Sequence, residues 1–93
     1  MSLEALVSKY IDSAEKVLAE MQLTKDPLTI NDVCINEVVE WVKAYLEDAK
    51  YYKAQKKLET SLTSIAYCEG LLDALKVLGA VKFEWPQKPI SEL

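Results

Sequence analysis

The sequence predicts an all-α fold, an up-and-down three-helix bundle followed by an extended C-terminal tail. Three observations predict it. Apolar residues recur at steps of three and four through three segments, all three prolines fall outside those segments, and the helical phase jumps once between the second and third. With 93 residues, 51% of them apolar, the chain is read as a single domain over 1–93, with helices at about 3–22, 32–53 and 58–78 and a tail at 80–93.

In the first segment Leu3, Val7, Tyr10, Ala14, Val17 and Met21 form one stripe, widened by Ile11 and Leu18. Ser2 is placed to cap it, Glu4 suits the first turn, and Lys9, Asp12, Glu15, Lys16 and Glu20 take the outer face. Between Gln22 and Asp32 the periodicity fails. Asp26 before Pro27 predicts a short turn, Leu28 and Ile30 are expected over the core, and either Asn31 or Thr29 with Asp32 is expected to cap the second helix.

Ile35, Val38, Val42, Tyr45, Ala49 and Tyr52 then step three and four without a miss, and this helical spacing outweighs the strand preference of the β-branched residues at its start. Continuing that seam would place Lys56, Glu59 and Thr63 in the core. The apolar residues that follow are instead Leu58, Leu62, Ile65, Cys68, Leu72 and Leu75, so the chain is expected to break and reverse near 53–57, with Thr60 or Ser61 as cap.

The third helix is apolar over a wide arc and carries Ala66, Gly70 and Val77 opposite it, a pattern expected of a helix with more than one neighbour. Gly70 in a helix interior costs up to about 1 kcal/mol relative to Ala, which close approach of another backbone would offset. Gly79 is expected to end the helix in the left-handed conformation. In the tail, Val81, Phe83 and Trp85 alternate with Lys82 and Glu84, before Pro86 and Pro89, and read as extended chain that folds onto the bundle or docks on a partner.

Composition excludes several chemistries. There is no His and all eleven cations are Lys, which removes an imidazole base, a His-paired nucleophile, a His-containing zinc site, an arginine finger and any bidentate anion fork. A net charge of -4 argues against a nucleic-acid surface. Cys34 and Cys68 lack metal-ligand spacing and read as two small core hydrophobes, with a single bridge as the alternative. No basic, apolar leader and no membrane-length apolar run is evident, so a cytoplasmic chain without membrane association is expected.

The residues singled out are Asp48 and Asp73, near the apolar faces of their helices, with Tyr45, Tyr52 and Tyr67 placed to donate to them in a structural polar network. Ala66, Gly70, Val77, Phe83 and Trp85 are the interface candidates. Glu69 and Asp73, four apart on one face, with Glu37 and Glu40 on the neighbouring helix, are weak candidates for Mg²⁺ or Ca²⁺; no cofactor, catalytic residue or dedicated metal site is assigned. Lys50, Lys53, Lys56 and Lys57 cluster near the reversal and read first as a solvated face.

The pattern YLEDAKYY and, fifteen residues on, YCEGLLDALKVLG resembles the archaeal family of domains of unknown function 357. Tyr45, Asp48, Ala49, Tyr52, Tyr67, Gly70, Leu71, Leu72, Asp73, Leu78 and Gly79 carry the resemblance, which is strong over the C-terminal half and rests on periodicity alone in the first helix. Glu69 stands where the family pattern has His, Lys56 where the interhelical turn often has Gly, and Cys68 where a small residue is usual. The resemblance implies a compact helical bundle without an established activity, some of whose relatives are joined to nucleotidyltransferase-like domains.

Three functional expectations follow. The leading one is a non-enzymatic module for self-association or protein interaction through the small face of the third helix and the aromatic tail. The second is an accessory role in nucleotide or RNA metabolism, suggested by the resemblance and the lysine-rich turn. The third is a metal-dependent enzyme using Asp48 and Asp73. The small-molecule ligand, if any, is not specified by these residues.

Overall fold

The computed structural model describes residues 2–88 and residue 90. The fold is all-α, with α1 at Leu3–Glu20, α2 at Asp32–Ala54 and α3 at Leu58–Val77, and no strand among the described residues. α1 starts where Ser2, in extended conformation, accepts from the Ala5 amide at 3.0 Å. Asn31 does the same for α2, accepting from the Cys34 amide at 2.9 Å, which settles the two expected capping schemes in favour of Asn31.

The chain reverses over Gln55–Lys57, where the change of helical phase places it. Lys56 adopts the left-handed conformation (φ 62°), and two closing bonds run from the Lys56 amide to the Lys53 carbonyl and from the Lys57 amide to the Tyr52 carbonyl. α3 ends the same way. Gly79 is left-handed (φ 77°), and the Gly79 and Ala80 amides donate to the Lys76 and Leu75 carbonyls. The reversal is so tight that α3 begins directly after Lys57, without a side-chain cap. Ser61 therefore lies inside the helix, not at its start as expected, and its hydroxyl donates across to the Ala49 carbonyl at 2.7 Å.

That bond, with Cys68 Sγ donating to the Val42 carbonyl at 3.5 Å, sets α2 and α3 antiparallel: position 49 lies opposite 61 and 42 opposite 68. The core lies on this seam. Val42, Ala49, Cys68 and Leu75 are buried, and Val38, Val39, Tyr45, Ile65, Leu71 and Leu72 pack around them. Every member of the predicted α2 seam is buried or half-buried. Burying a side chain such as Leu75, 3% exposed, contributes roughly 1.5–3 kcal/mol.

α1 does not share in this core. All its residues are exposed, the apolar stripe included. The connector from Met21 to Asn31 is extended at both ends and shows only a bend at Asp26 where a short turn was expected. The consequence is a large surface: 8068 Å², where a compact 10.5 kDa monomer exposes roughly 5,400 Å². The radius of gyration, 15.6 Å, likewise exceeds the value of about 12 Å for a compact chain of this length.

Candidate functional site

The α2–α3 pair has two long flanks, and the structure treats them differently. On one flank the tail turns back along α3. Ala80 and Val81 pack against the core cluster, Trp85 Nε1 donates to Asp73 Oδ1 at 2.9 Å, and the Ile90 amide donates to Glu69 Oε1 at 3.1 Å. Rising tail numbers thus meet falling α3 numbers. Phe83 and Trp85 meet edge-on with centroids 5.0 Å apart, and Lys76 lies 5.0 Å from the Phe83 ring and 3.7 Å from Glu84. Of the two alternatives for the tail, folding onto its own helices is the one observed. Pro89 and residues 91–93 of the expected tail lie outside the described residues.

Glu69 and Asp73, the weak metal candidates, each hold the tail through one carboxylate oxygen. Among the described residues no three Asp, Glu or Cys side chains stand close enough to share a metal ion. Ala66 and Gly70 border a shallow hollow with Glu69, Asp73 and Ile90. A Cβ built on Gly70 meets nothing within 4 Å, so the close backbone approach expected there is not made by this chain, and Val77 is 86% exposed.

On the opposite flank the rings of Tyr45 and Tyr67 stack across the seam with centroids 4.4 Å apart. Tyr52 meets Tyr51 edge-on. The tyrosines are thus placed against one another rather than on the two aspartates: Asp48 is exposed, and Asp73 is half-buried beside Trp85. The antiparallel pairing explains why. Asp48 adjoins Ala49 at the level of Ser61, and Asp73 lies twelve residues further along α3, about 18 Å at 1.5 Å per residue.

Beyond the stacked tyrosines this flank opens into an apolar groove between Cys34, Ile35 and Val38 of α2 and Leu75 of α3, closed at the helix end by Leu78 and Ala80, with Leu28 and Ile30 of the connector at its edge. Trp41 and Tyr67 continue the flank and are about half exposed. Leu28 and Ile30 reach only this edge and stay exposed, short of the core position expected for them. In the sequence this groove does not separate from the core, although Cys34 and Trp41 extend the main seam on the side of Val38 and Tyr45.

Cys34 and Cys68 are free thiols and do not bridge; Cys68 takes the core place expected of both, whereas Cys34, in the first turn of α2, is exposed. Burial, with Glu69 adjacent, raises the Cys68 thiol above the ordinary cysteine range and keeps it neutral. At the reversal Lys56 and Lys57 border a second hollow with Leu58, Glu59 and Thr60, and Lys50 pairs with Glu47 at 3.1 Å. Among the described residues no helix is long and apolar enough to cross a membrane.

The tyrosine stack, the Asp73 anchor and the glycine-terminated α3 all come from the segments whose sequence pattern is most distinctive. The model of a family described as protein of unknown function (DUF357) matches residues 9–81. The chain belongs to the DUF357 family. The DUF357 match takes in α1 from Lys9 onward, which the sequence tied to the family by periodicity alone, and stops at Val81, before Phe83 and Trp85. No curated protein and no solved structure matches the chain.

Proposed function

We propose that this DUF357 chain is a non-enzymatic interaction module that buries the apolar face of α1 against another protein chain. One observation carries the reading: the surface of 8068 Å² exceeds that of a compact monomer by roughly 2,700 Å², and α1, all of it exposed, holds seven large apolar side chains of that surface. An apolar stripe left exposed along a whole helix marks a binding face. The interface candidates read from sequence are redistributed by this account. Phe83 and Trp85 are half-buried against α3, and Ala66, Gly70 and Val77 remain available as a secondary face.

Small-angle scattering of the diluted chain tests the reading. A single chain with a radius of gyration near 15.6 Å, or a particle larger than one chain, agrees with it. A single chain compacted to about 12 Å contradicts it, since α1 would then already be covered by its own hairpin.

A second reading, an accessory role in nucleotide or RNA metabolism, has the hollow beside Lys56 and Lys57 at the uncapped start of α3 in its favour. Salt-dependent binding of RNA or nucleotides that disappears with Lys53→Ala, Lys56→Ala and Lys57→Ala combined is its test.

A further inference from the structure

The apolar face of α1 and the groove beside Tyr45 and Tyr67 are two uncovered surfaces of one chain. We infer that each covers the other between two copies: α1 of one chain lies along the Cys34–Tyr45 and Tyr67–Leu78 flank of a second, and the exchange is reciprocal. This rests on the interaction reading above and adds the partner's identity.

Four observations lead there. The first is area. If each of two chains gives up only half of its excess, the interface is about 2,700 Å², within the range of about 2,000–5,000 Å² for obligate homodimers. Length is the second, because the 18 residues of α1 span about 27 Å, enough to cover the whole Cys34–Tyr45 and Tyr67–Leu78 flank of about 18 Å. The third is the flank itself: the tail contributes Ala80 to the groove and then runs along the other side of α3 to Asp73 and Glu69, which leaves the groove flank open beyond Ala80.

The fourth is the connector. It runs from Met21 to Asn31 without a hydrogen-bonded turn, with a single bend at Asp26 before Pro27, and α1 buries no residue on its own hairpin. Leu28 and Ile30 sit at the groove edge, where an incoming helix would extend the apolar surface they begin. Exchange of one element between identical chains closes on itself as a two-fold pair, so no apolar face is left over to propagate a filament.

Thiol chemistry on the intact chain tests the exchange, because Cys34 is an exposed thiol in the groove and Cys68 a buried one. Leu18→Cys puts a second accessible thiol on the α1 stripe, and Glu15→Cys puts one on the outer face as a control. Under mild oxidation Leu18→Cys is expected to form a bridge to Cys34 that doubles the mass on a non-reducing gel, while Glu15→Cys stays largely single. A bridge between 18 and 34 within one chain overturns the exchange in favour of closure on the chain's own hairpin, and removes the interaction reading with it. Failure of 18 and 34 to bridge, in a protein whose solution mass is still doubled, overturns the exchange alone.

The unsubstituted chain supplies a check that no substitution can confound. Alkylation of Cys34 is expected to slow as chain concentration rises while Cys68 stays unreactive. A Cys34 rate independent of concentration in samples that pass from one chain to two overturns the proposal.

Discussion

α1 and α3 make opposite use of apolar residues. α1 has a single regular stripe, the pattern expected of a helix packed on one neighbour, and buries none of it. α3 is apolar over a broad arc with no single favoured face, yet it supplies Cys68 and Leu75 to the core, receives α2 along one side and takes the tail on another. The contrast teaches that periodicity reports how many faces a helix has to bury. It does not report whose surface buries them. α3 finds its neighbours within the chain because the three-residue reversal and the left-handed Gly79 bring α2 and the tail to it. The extended connector gives α1 no such constraint.

The largest expected effect follows from placing equivalent truncations on the two helices. Leu75→Ala should destabilise the fold by about 2–4 kcal/mol in a urea melt. Val17→Ala on α1, measured at a dilution where chains are apart, should change it by less than about 0.5 kcal/mol. Comparable losses at both sites in isolated chains would erase the distinction.

The tail contact comes next. Trp85→Phe keeps the ring but removes the bond to Asp73, and should reduce stability by about 1 kcal/mol. Asp73→Ala should produce a similar loss, and the two together little more than either, as a double-mutant cycle would show.

The two left-handed turns offer a smaller and signed test. Lys56→Gly should raise stability by roughly 0.5–1 kcal/mol, because Gly holds φ 62° without steric penalty, whereas Gly79→Ala should lower it by about 1 kcal/mol.

The smallest effect is a pH dependence. Because burial raises the Cys68 thiol in the folded chain, the unfolded chain loses this proton first as pH rises, and stability declines once pH passes the ordinary thiol range of about 8.5. The contribution is intact below that pH. Cys68→Ala should lower the melting temperature at neutral pH and flatten this alkaline slope.

Most of the hairpin was legible in the sequence. The α2 seam from Ile35 to Tyr52 is the buried face, the phase jump after Tyr52 is the reversal, and Ser2 and Gly79 cap as their chemistry requires. Less legible were roles that depend on a partner distant in sequence. Ser61 looked like a cap because hydroxyls favour helix starts, yet its carbonyl partner Ala49 becomes available only after the chain has reversed. Asp73 pointed to the tyrosines by its place near the apolar face of its helix, but the antiparallel register carries it to the end where the tail returns, and Trp85 meets it there. Lys56 gave a signal that was readable in part: it stands where the family pattern often has Gly, and it holds the conformation that Gly favours.

Amide hydrogen exchange, read helix by helix at a chain concentration where light scattering gives the mass of one 10.5 kDa chain, tests most directly whether α1 depends on a second chain for its burial. The expected result is fast exchange throughout α1 with slower exchange around Cys68 and Leu75, and protection of α1 appearing only as the mass rises toward twice that value. Protection of α1 equal to that of α3 in single chains would contradict it.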